Sequence, residues 1–528
     1  MIEDKQKIIN DNLVITIYND SNDLIKAFKI IFQNISFEYN IDIYPNHQMK
    51  IKIPLADLNE DYNYSITDIE SMEIVEKKVT IDMTTGSIKK KMVAFAVPIF
   101  LSSLLQTLYN LVDSLIVGTF LGKGALAAVS TSGNLIFLFT SFFLGASQGA
   151  GILIAKHFGA RNYKEMSQTI HTNILFGLIS GLFLTIVGVL FTPFILQLMN
   201  TDPAVLPKSI DYFRFYFLGC IGIVMYNVLS STMNNVGNSR RPLYFLIISS
   251  ALNVILDLLF IGVFKLGVKY AAIATTISQF VSATLCLIYL LRVKASYNVS
   301  LKRLKFNFQK LKEILRYGIP TGIQNSVIGL ANVLVQSNIN IFGEDAMAGY
   351  GAYIKVENFV FTPINAFTMA ISTFVGQNLG AKEYERAKMG SKFGILTAMI
   401  LAETFGIFLF ALAPLLIGQF TKDPNVLKYG VTQSRTTSLF FFLLAFSHSV
   451  AAVTRGSGRP VIAMLVMFGV WCILRVSYIY IALSINNDIH LIYIAYPLTW
   501  TISSIIYFIY YFKSDWIHNF ERKKLSVK

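Results

Sequence analysis

Phe95-Ala96-Val97-Pro98 returns, about 220 residues further on, as Tyr317-Gly318-Ile319-Pro320, and the correspondence continues outward from there. Gly159-Ala160-Arg161 returns as Gly380-Ala381-Lys382, Asp202-Pro203 as Asp423-Pro424, and Arg214 as Arg435. The basic turn from Gly237 to Pro242 returns between Gly456 and Pro460. One module, beginning near residue 92, is written twice. In an apolar chain such a repeat implies two helical bundles that rock around a central site, the plan of a secondary transporter.

The chain is apolar enough for that plan. Its 528 residues are 54% hydrophobic and 14% charged, outside the range of ordinary soluble domains. Stretches such as 172–199, 243–264 and 396–420 exceed the roughly 20 residues a helix needs to cross a bilayer. Windowed hydropathy predicts about twelve spans. They fall at 92–118, 126–156, 166–199, 206–233, 241–264 and 268–292, then at 312–341, 347–378, 386–419, 426–454, 460–484 and 489–512. Each copy holds an even number, so the two six-helix repeats enter the membrane in the same direction and are parallel.

Charge sets the orientation. The net charge is +14, yet residues 1–82 carry 15 acidic and 8 basic side chains, so the cationic excess lies beyond them. Lys89-Lys90-Lys91, Arg240-Arg241, the connector 293–311, Lys382 with Arg386, Arg455 with Arg459, and Arg522-Lys523-Lys524 all fall at alternate loops. By the positive-inside rule those loops and both termini are cytoplasmic, in a multi-pass plasma-membrane protein touching anionic lipid. The excess therefore points to lipid rather than nucleic acid. The first 80 residues are polar, so no cleavable signal is expected and the first membrane helix targets the chain. Cys220, Cys286 and Cys472 form neither a metal pattern nor a disulfide framework.

The expected organisation is an appendage at 1–82, a first bundle at 83–292, a basic linker at 293–311, a second bundle at 312–512 and a tail at 513–528. The membrane part is expected to be all-α, and the appendage a small α+β unit on the cytoplasmic side. In the appendage, Leu13 to Ile17 reads as a strand and Ser21 to Phe37 has helical spacing. Met49 to Ile53 and Ile74 to Ile81 read as further strands. It holds no recognisable motif.

Charges inside a membrane cost about 2.5–3.5 kcal/mol each on insertion scales and are functional candidates by default. Arg214 and Arg435 are duplicated near helix ends, as snorkelling anchors would be. Asp113 and Asp257 are not duplicated: their counterparts are Leu334 or Val335, and Arg475. Both aspartates fall in the outer half of the bilayer, Thr275 lies at similar depth, and Asn253 precedes Asp257 by one helical turn. Two carboxylates, an amide oxygen and a hydroxyl would form an oxygen-rich site for Na⁺ or a proton, because adjacent carboxylates repel until a cation is shared. The plainer alternative is that each aspartate pairs with a separate helix end.

The run Asp82 to Ile88 leading into Pro98, then Tyr109-Asn110-Leu111-Val112-Asp113, Leu126 to Val129, Gly149 to Gly159, Asn253 to Asp257 and Ala271 to Thr276 resembles the multidrug and toxic compound extrusion (MATE) family. The resemblance covers about residues 82–512. It implies cation-coupled export of organic, often cationic and amphipathic, compounds by alternating access, with no cofactor beyond the coupling ion. It also implies a cation site at Asp113, Asn253, Asp257 and Thr275, and a helix-one hinge at Pro98. Some members carry an acid on helix seven; here that region is Gln324-Asn325-Ser326-Val327-Ile328, so a second cation site is not expected. Phe139, Phe142, Tyr353, Phe359 and Phe361 are candidate aromatic walls of a substrate cavity, with Gln148, Gln324, Lys355 and Glu357 as polar contacts. A flippase for lipid-linked or polysaccharide precursors is the alternative transporter reading. An enzyme is disfavoured, because the six histidines are scattered without metalloenzyme spacing. Both bundles lie in one chain, so a monomer is expected to suffice.

Overall fold

The computed structural model describes the backbone of residues 2–9, 12–19, 28–32, 35–39, 48–54 and 64–68, and residues 80–198, 203 and 206–520. The chain forms two units. One comprises Met1–Thr80 with Val293–Asn298, the other Ile81–Arg292 with Val299–Lys528.

Among the described residues the first unit contains six strands, β1 (Ile2–Ile9), β2 (Asn12–Asn19), β3 (Phe28–Phe32), β4 (Ile35–Tyr39), β5 (Gln48–Pro54) and β6 (Tyr64–Asp68). They pair antiparallel in two sheets, ordered β1-β2-β5 and β4-β3-β6. The expected strands near Leu13 and Met49 are β2 and β5, with Leu13, Ile15 and Ile17 opposite Ile53, Ile51 and Met49. The helix expected over Ser21 to Phe37 is corrected: Phe28–Phe32 and Ile35–Tyr39 form a hairpin. Phe28, Ile30, Phe32, Ile35, Phe37 and Tyr39 alternate with period two in β-branched and aromatic residues, and that pattern prevailed over the helical spacing. Residues 74–79 of the fourth expected strand lie outside the described residues, while Thr80 and Ile81 are not in a strand.

The second unit is helical. Among the described residues it has twelve rods. The first six are α1 (Ile88–Leu121), α2 (Lys123–Gly159), α3 (Tyr163–Leu198), α4 (Leu206–Leu218 and Cys220–Asn235, bent by 45°), α5 (Arg240–Val263) and α6 (Lys269–Arg292). The second six are α7 (Phe308–Asn340), α8 (Glu344–Gly380), α9 (Tyr384–Ile417), α10 (Pro424–Gly456), α11 (Pro460–Ile485) and α12 (Ile489–Lys513). Nine of them are long and apolar enough to cross a membrane, and bent α4 makes a tenth. α2 and α7 are comparably long. The equivalent rods α5 and α11 both break into π-helix, at Leu258–Val263 and Met467–Leu474. Such wide turns inside α-helices collect at functional sites.

The two bundles meet along glycines. Gly145 and Gly149 on α2 face Gly318 and Gly322 on α7, so a G-x-x-x-G pair on each rod lets the backbones approach. A Cβ on Gly149 would lie 2.3 Å from the Gly318 nitrogen, and one on Gly159 would lie 1.9 Å from the Gln377 carbonyl oxygen on α8. Polar ties reinforce the seam at the end of the rods that carries the basic loops. Gln377 Nε2 donates to Asn235 O at 2.9 Å, and Met83 N donates to Gln377 Oε1 at 3.2 Å. Arg386 binds the carbonyls of Met83, Thr85 and Gly86 at 3.0, 2.7 and 2.7 Å. The strap Ile81–Gly86 thus joins the α4–α5 turn, through Ile81 N to Gly237 O at 3.0 Å, to α8 and α9. Past α12 the chain folds back: Trp516 and Phe520 are buried, and Asn519 Nδ2 donates to Ser457 O at 2.8 Å.

Gly149→Val should lower stability by roughly 1–3 kcal/mol through overpacking of the seam. Gly351→Ala, where an added Cβ meets nothing within 4 Å, should not lower it. Thermal unfolding of the two variants in detergent checks the contrast.

Candidate functional site

α1, α5 and α6 bring the four sequence-predicted ligand residues together inside the first bundle. Asp257 and Asn253 are fully buried, and Asp113 and Thr275 nearly so. The hydrogen-bond partners orient the Asn253 amide: Nδ2 donates to Asp257 Oδ2 at 2.9 Å, and Oδ1 accepts from the Thr275 backbone N–H at 3.1 Å. The Asp113 and Asp257 carboxyls lie close enough to interact directly. Two adjacent carboxylates in a buried site repel until a proton or another cation is shared between them. One oxygen on each, Asp113 Oδ1 and Asp257 Oδ1, is buried without a hydrogen-bond partner. Those free lone pairs, with the Thr275 hydroxyl nearby, are oxygen donors of the kind a small hard cation takes, whereas Asn253 turns its amide nitrogen rather than the expected oxygen toward Asp257.

Tyr109 enters the sequence reading only as part of the run before Asp113, with no site role. Its hydroxyl lies 3.3 Å from Thr275 Oγ1, and it stands one turn before Asp113, on the same face of α1. Tyr212 and Tyr216 on α4, with ring centroids 6.1 Å apart, lie within electrostatic reach of Asp113. Asp257 is the last residue before the π-helical turn of α5. Pro98 is buried within α1, fifteen residues before Asp113.

The second bundle is built differently at the equivalent place. Arg475, the counterpart of Asp257, is buried directly after the π-helical turn of α11. Its Nε and Nη2 donate to Thr499 Oγ1 at 3.1 and 2.8 Å, and its guanidinium packs over Trp471 and Tyr496. Val335, at the position of Asp113, is fully buried. Glu357 accepts from Tyr353 OH at 2.7 Å, which is 2.9 Å from Thr437 Oγ1. The first bundle buries two carboxyls at this level, and the second buries a guanidinium.

Between the bundles lies a cavity of about 560 Å³. Its floor toward the basic end is Asn235 and Thr373, joined through Thr373 Oγ1 to Asn235 Oδ1 at 3.4 Å. Gln148 and Gln324 line it, as the sequence reading placed them. Lys355 and Glu357 do not: Lys355 stacks over Phe420, and Glu357 sits inside the second bundle. Phe142, Tyr353, Phe359 and Phe361 are also absent from its walls, and the Phe139 side chain lies outside the described residues; the described walls are mostly Ser, Thr, Asn and Gln with Tyr226 as the aromatic member. Arg455, read from sequence as a loop cation, instead faces the cavity from the last turn of α10. Arg214 and Arg435 are exposed.

The MatE family model matches residues 98–259 and 320–481, one match in each bundle. The chain belongs to the MatE family. It is 29% identical over 448 residues to the probable multidrug resistance protein YoeA of Bacillus subtilis, covering 83% of this chain and 96% of that one. It is 27% identical over 389 residues to the probable multidrug resistance protein NorM of Thermotoga maritima, covering 73% and 83%. In structure it is similar to a MOP superfamily transporter from Pyrococcus furiosus, with a TM-score of 0.78 at 22% identity, over 82% of this chain and 96% of that one. A MatE protein is a multi-pass membrane transporter, and the paired match coincides with the repeat.

Asn253→Ala removes a donor from Asp257 and an acceptor from the Thr275 N–H. It should cost about 1–3 kcal/mol, more than Tyr109→Phe at about 1 kcal/mol. Thermal unfolding of the two purified variants ranks them.

Proposed function

We propose that this MatE protein is a secondary antiporter that exports organic compounds in exchange for Na⁺ or H⁺ by alternating access. The observation that carries the reading is the Asp113–Asp257 pair, two carboxyls that accept a monovalent cation at buried, unpartnered oxygens. The relatives' names as multidrug resistance proteins support drugs or drug-like compounds as cargo.

With the basic end cytoplasmic, as the positive-inside rule has it, the ties through Gln377, Asn235 and Met83 close the inner side. The protein is then in its outward-facing form. A cation entering from outside neutralises the pair, and its stronger binding to one arrangement of α1, α5 and α6 shifts the balance of states. Pro98 lacks an amide hydrogen and lets α1 bend as that happens. Substrate release and ion entry are coupled to the extent that ion and substrate prefer opposite arrangements. A single chain contains both bundles and needs no cofactor beyond the ion. The flippase alternative finds no support in the comparisons.

Everted vesicles loaded by an imposed Na⁺ or pH gradient test this. Asp113→Asn and Asp257→Asn should each abolish gradient-driven dye accumulation, with normal membrane insertion, and the gradient that drives the wild type names the ion. Full activity in both variants would remove the carboxyl pair from coupling.

A further inference from the structure

Building on the export reading, we propose that the cavity between the bundles takes polar organic anions, compounds bearing a carboxylate or phosphate, with Arg455 as the residue that pairs with that group.

Arg455 carries a charge with no acidic partner among the described residues. Arg455 lies in the last turn of α10, half-buried, and its side chain lines the cavity. A guanidinium has five N–H donors, yet the hydrogen bond Arg455 makes is a long one, Nη1 to Gln324 Oε1 at 3.5 Å. Nearby Tyr507 is no counter-ion, since its hydroxyl donates to Ala463 O at 3.3 Å. A half-buried charge with no opposite charge is costly.

The carboxyls inside the bundles are already engaged. Asp113 and Asp257 lie against each other, Glu357 accepts from Tyr353, and half-buried Glu403 accepts from Phe442 N at 3.1 Å. Among the described residues the cavity wall contains no Asp or Glu. No carboxylate among the described residues is available there to attract a cationic drug, and the wall offers few aromatic rings to bind one by cation–π contact. The compensation for Arg455 therefore comes from the ligand.

The remaining wall fits the same chemistry. Amides and hydroxyls, Gln148, Asn227, Asn325 and Asn365 among them, present donors and acceptors to a solute rich in oxygen. His448 stands two helical turns before Arg455 on the same face of α10 and lines the cavity with its Nε2 unpartnered. A planar guanidinium, steered along one edge by Gln324, binds carboxylate or phosphate in a fork. Arg455 belongs to the second copy alone: the matching helix-end turns, Gly237 N to Asn234 O and Gly458 N to Arg455 O, make Asn234 its counterpart in the first copy. This pairing narrows the expected cargo: it is anionic rather than cationic and amphipathic.

Fluorescence anisotropy of purified protein tests the site without requiring transport. The probes are carboxyfluorescein for a carboxylate, flavin mononucleotide for a phosphate and ethidium for a lipophilic cation. One or both anionic probes should bind, and ethidium should not compete. Arg455→Gln should weaken anion binding about tenfold or more, the value of losing a charge-assisted bond. Arg455→Lys should retain part of it, with both variants checked for unchanged thermal unfolding. Tighter binding of ethidium than of either anion, equal anion binding by wild type and Arg455→Gln, or no anion binding at all would each overturn the proposal. A vesicle assay with the same probes separates the two readings. Arg455-dependent anion binding that no gradient converts into transport would uphold the anion site and contradict export.

Discussion

Two carboxyl groups pressed together inside an apolar bundle cannot both be ionised unless a cation joins them, and this requirement organises much of the molecule. Asp113 comes from α1, Asp257 from the start of the π-helical turn of α5, and Asn253 and the Thr275 amide fix the geometry between them. Wherever the cation comes from, it bears on three helices of one bundle at once. The other bundle escapes the requirement because Arg475 occupies the corresponding place, bound to Thr499 and stacked on Trp471 and Tyr496. The repeat is symmetric in fold and asymmetric in charge, and under the proposed function that asymmetry confines ion dependence to one half.

The seam between the bundles is suited to a structure that must open. G-x-x-x-G faces on α2 and α7 give close van der Waals contact without large interlocking side chains. The basic end is closed by individual hydrogen bonds from Gln377, Asn378 and Arg386 to the strap at Met83–Gly86 and to Asn235. Each such bond contributes only about 0.5–1.5 kcal/mol net. Together they are of the same order as the roughly 5.5 kcal/mol of differential binding needed to reverse a strongly biased two-state equilibrium. Under the proposed function, a cation and a substrate with differential binding of that size would compete with the seal.

Much of this was legible in the chain. The repeat and the apolar runs placed the helical rods within a few residues, because membrane helices declare themselves by length and hydropathy. Asp113, Asn253, Asp257 and Thr275 were grouped from depth and spacing, and they do meet. Other features depend on which way a helix face turns. Arg455 reads as a loop cation because it adjoins Gly456 and Arg459, yet the final turn of α10 points it inward. Glu357 and Lys355 lie two positions apart and are sent to different surroundings, one into the second bundle and the other over Phe420. The G-x-x-x-G pairs were present as letters, but only their juxtaposition gives them meaning. In the appendage, Phe28 to Tyr39 supported both periods, and pairing with a neighbouring strand decided between them.

The central claim is that the carboxyl pair, through its cation, sets which arrangement of the bundles prevails. The most direct measurement is the distance between spin labels at Val263 and Ile341, exposed residues at the ends opposite the seal, recorded by pulsed electron resonance across Na⁺ concentration and pH. The account predicts that cation addition redistributes the distances in the wild type and leaves them unmoved when Asp113 and Asp257 are both replaced by asparagine. A shift that survives the double replacement would contradict it.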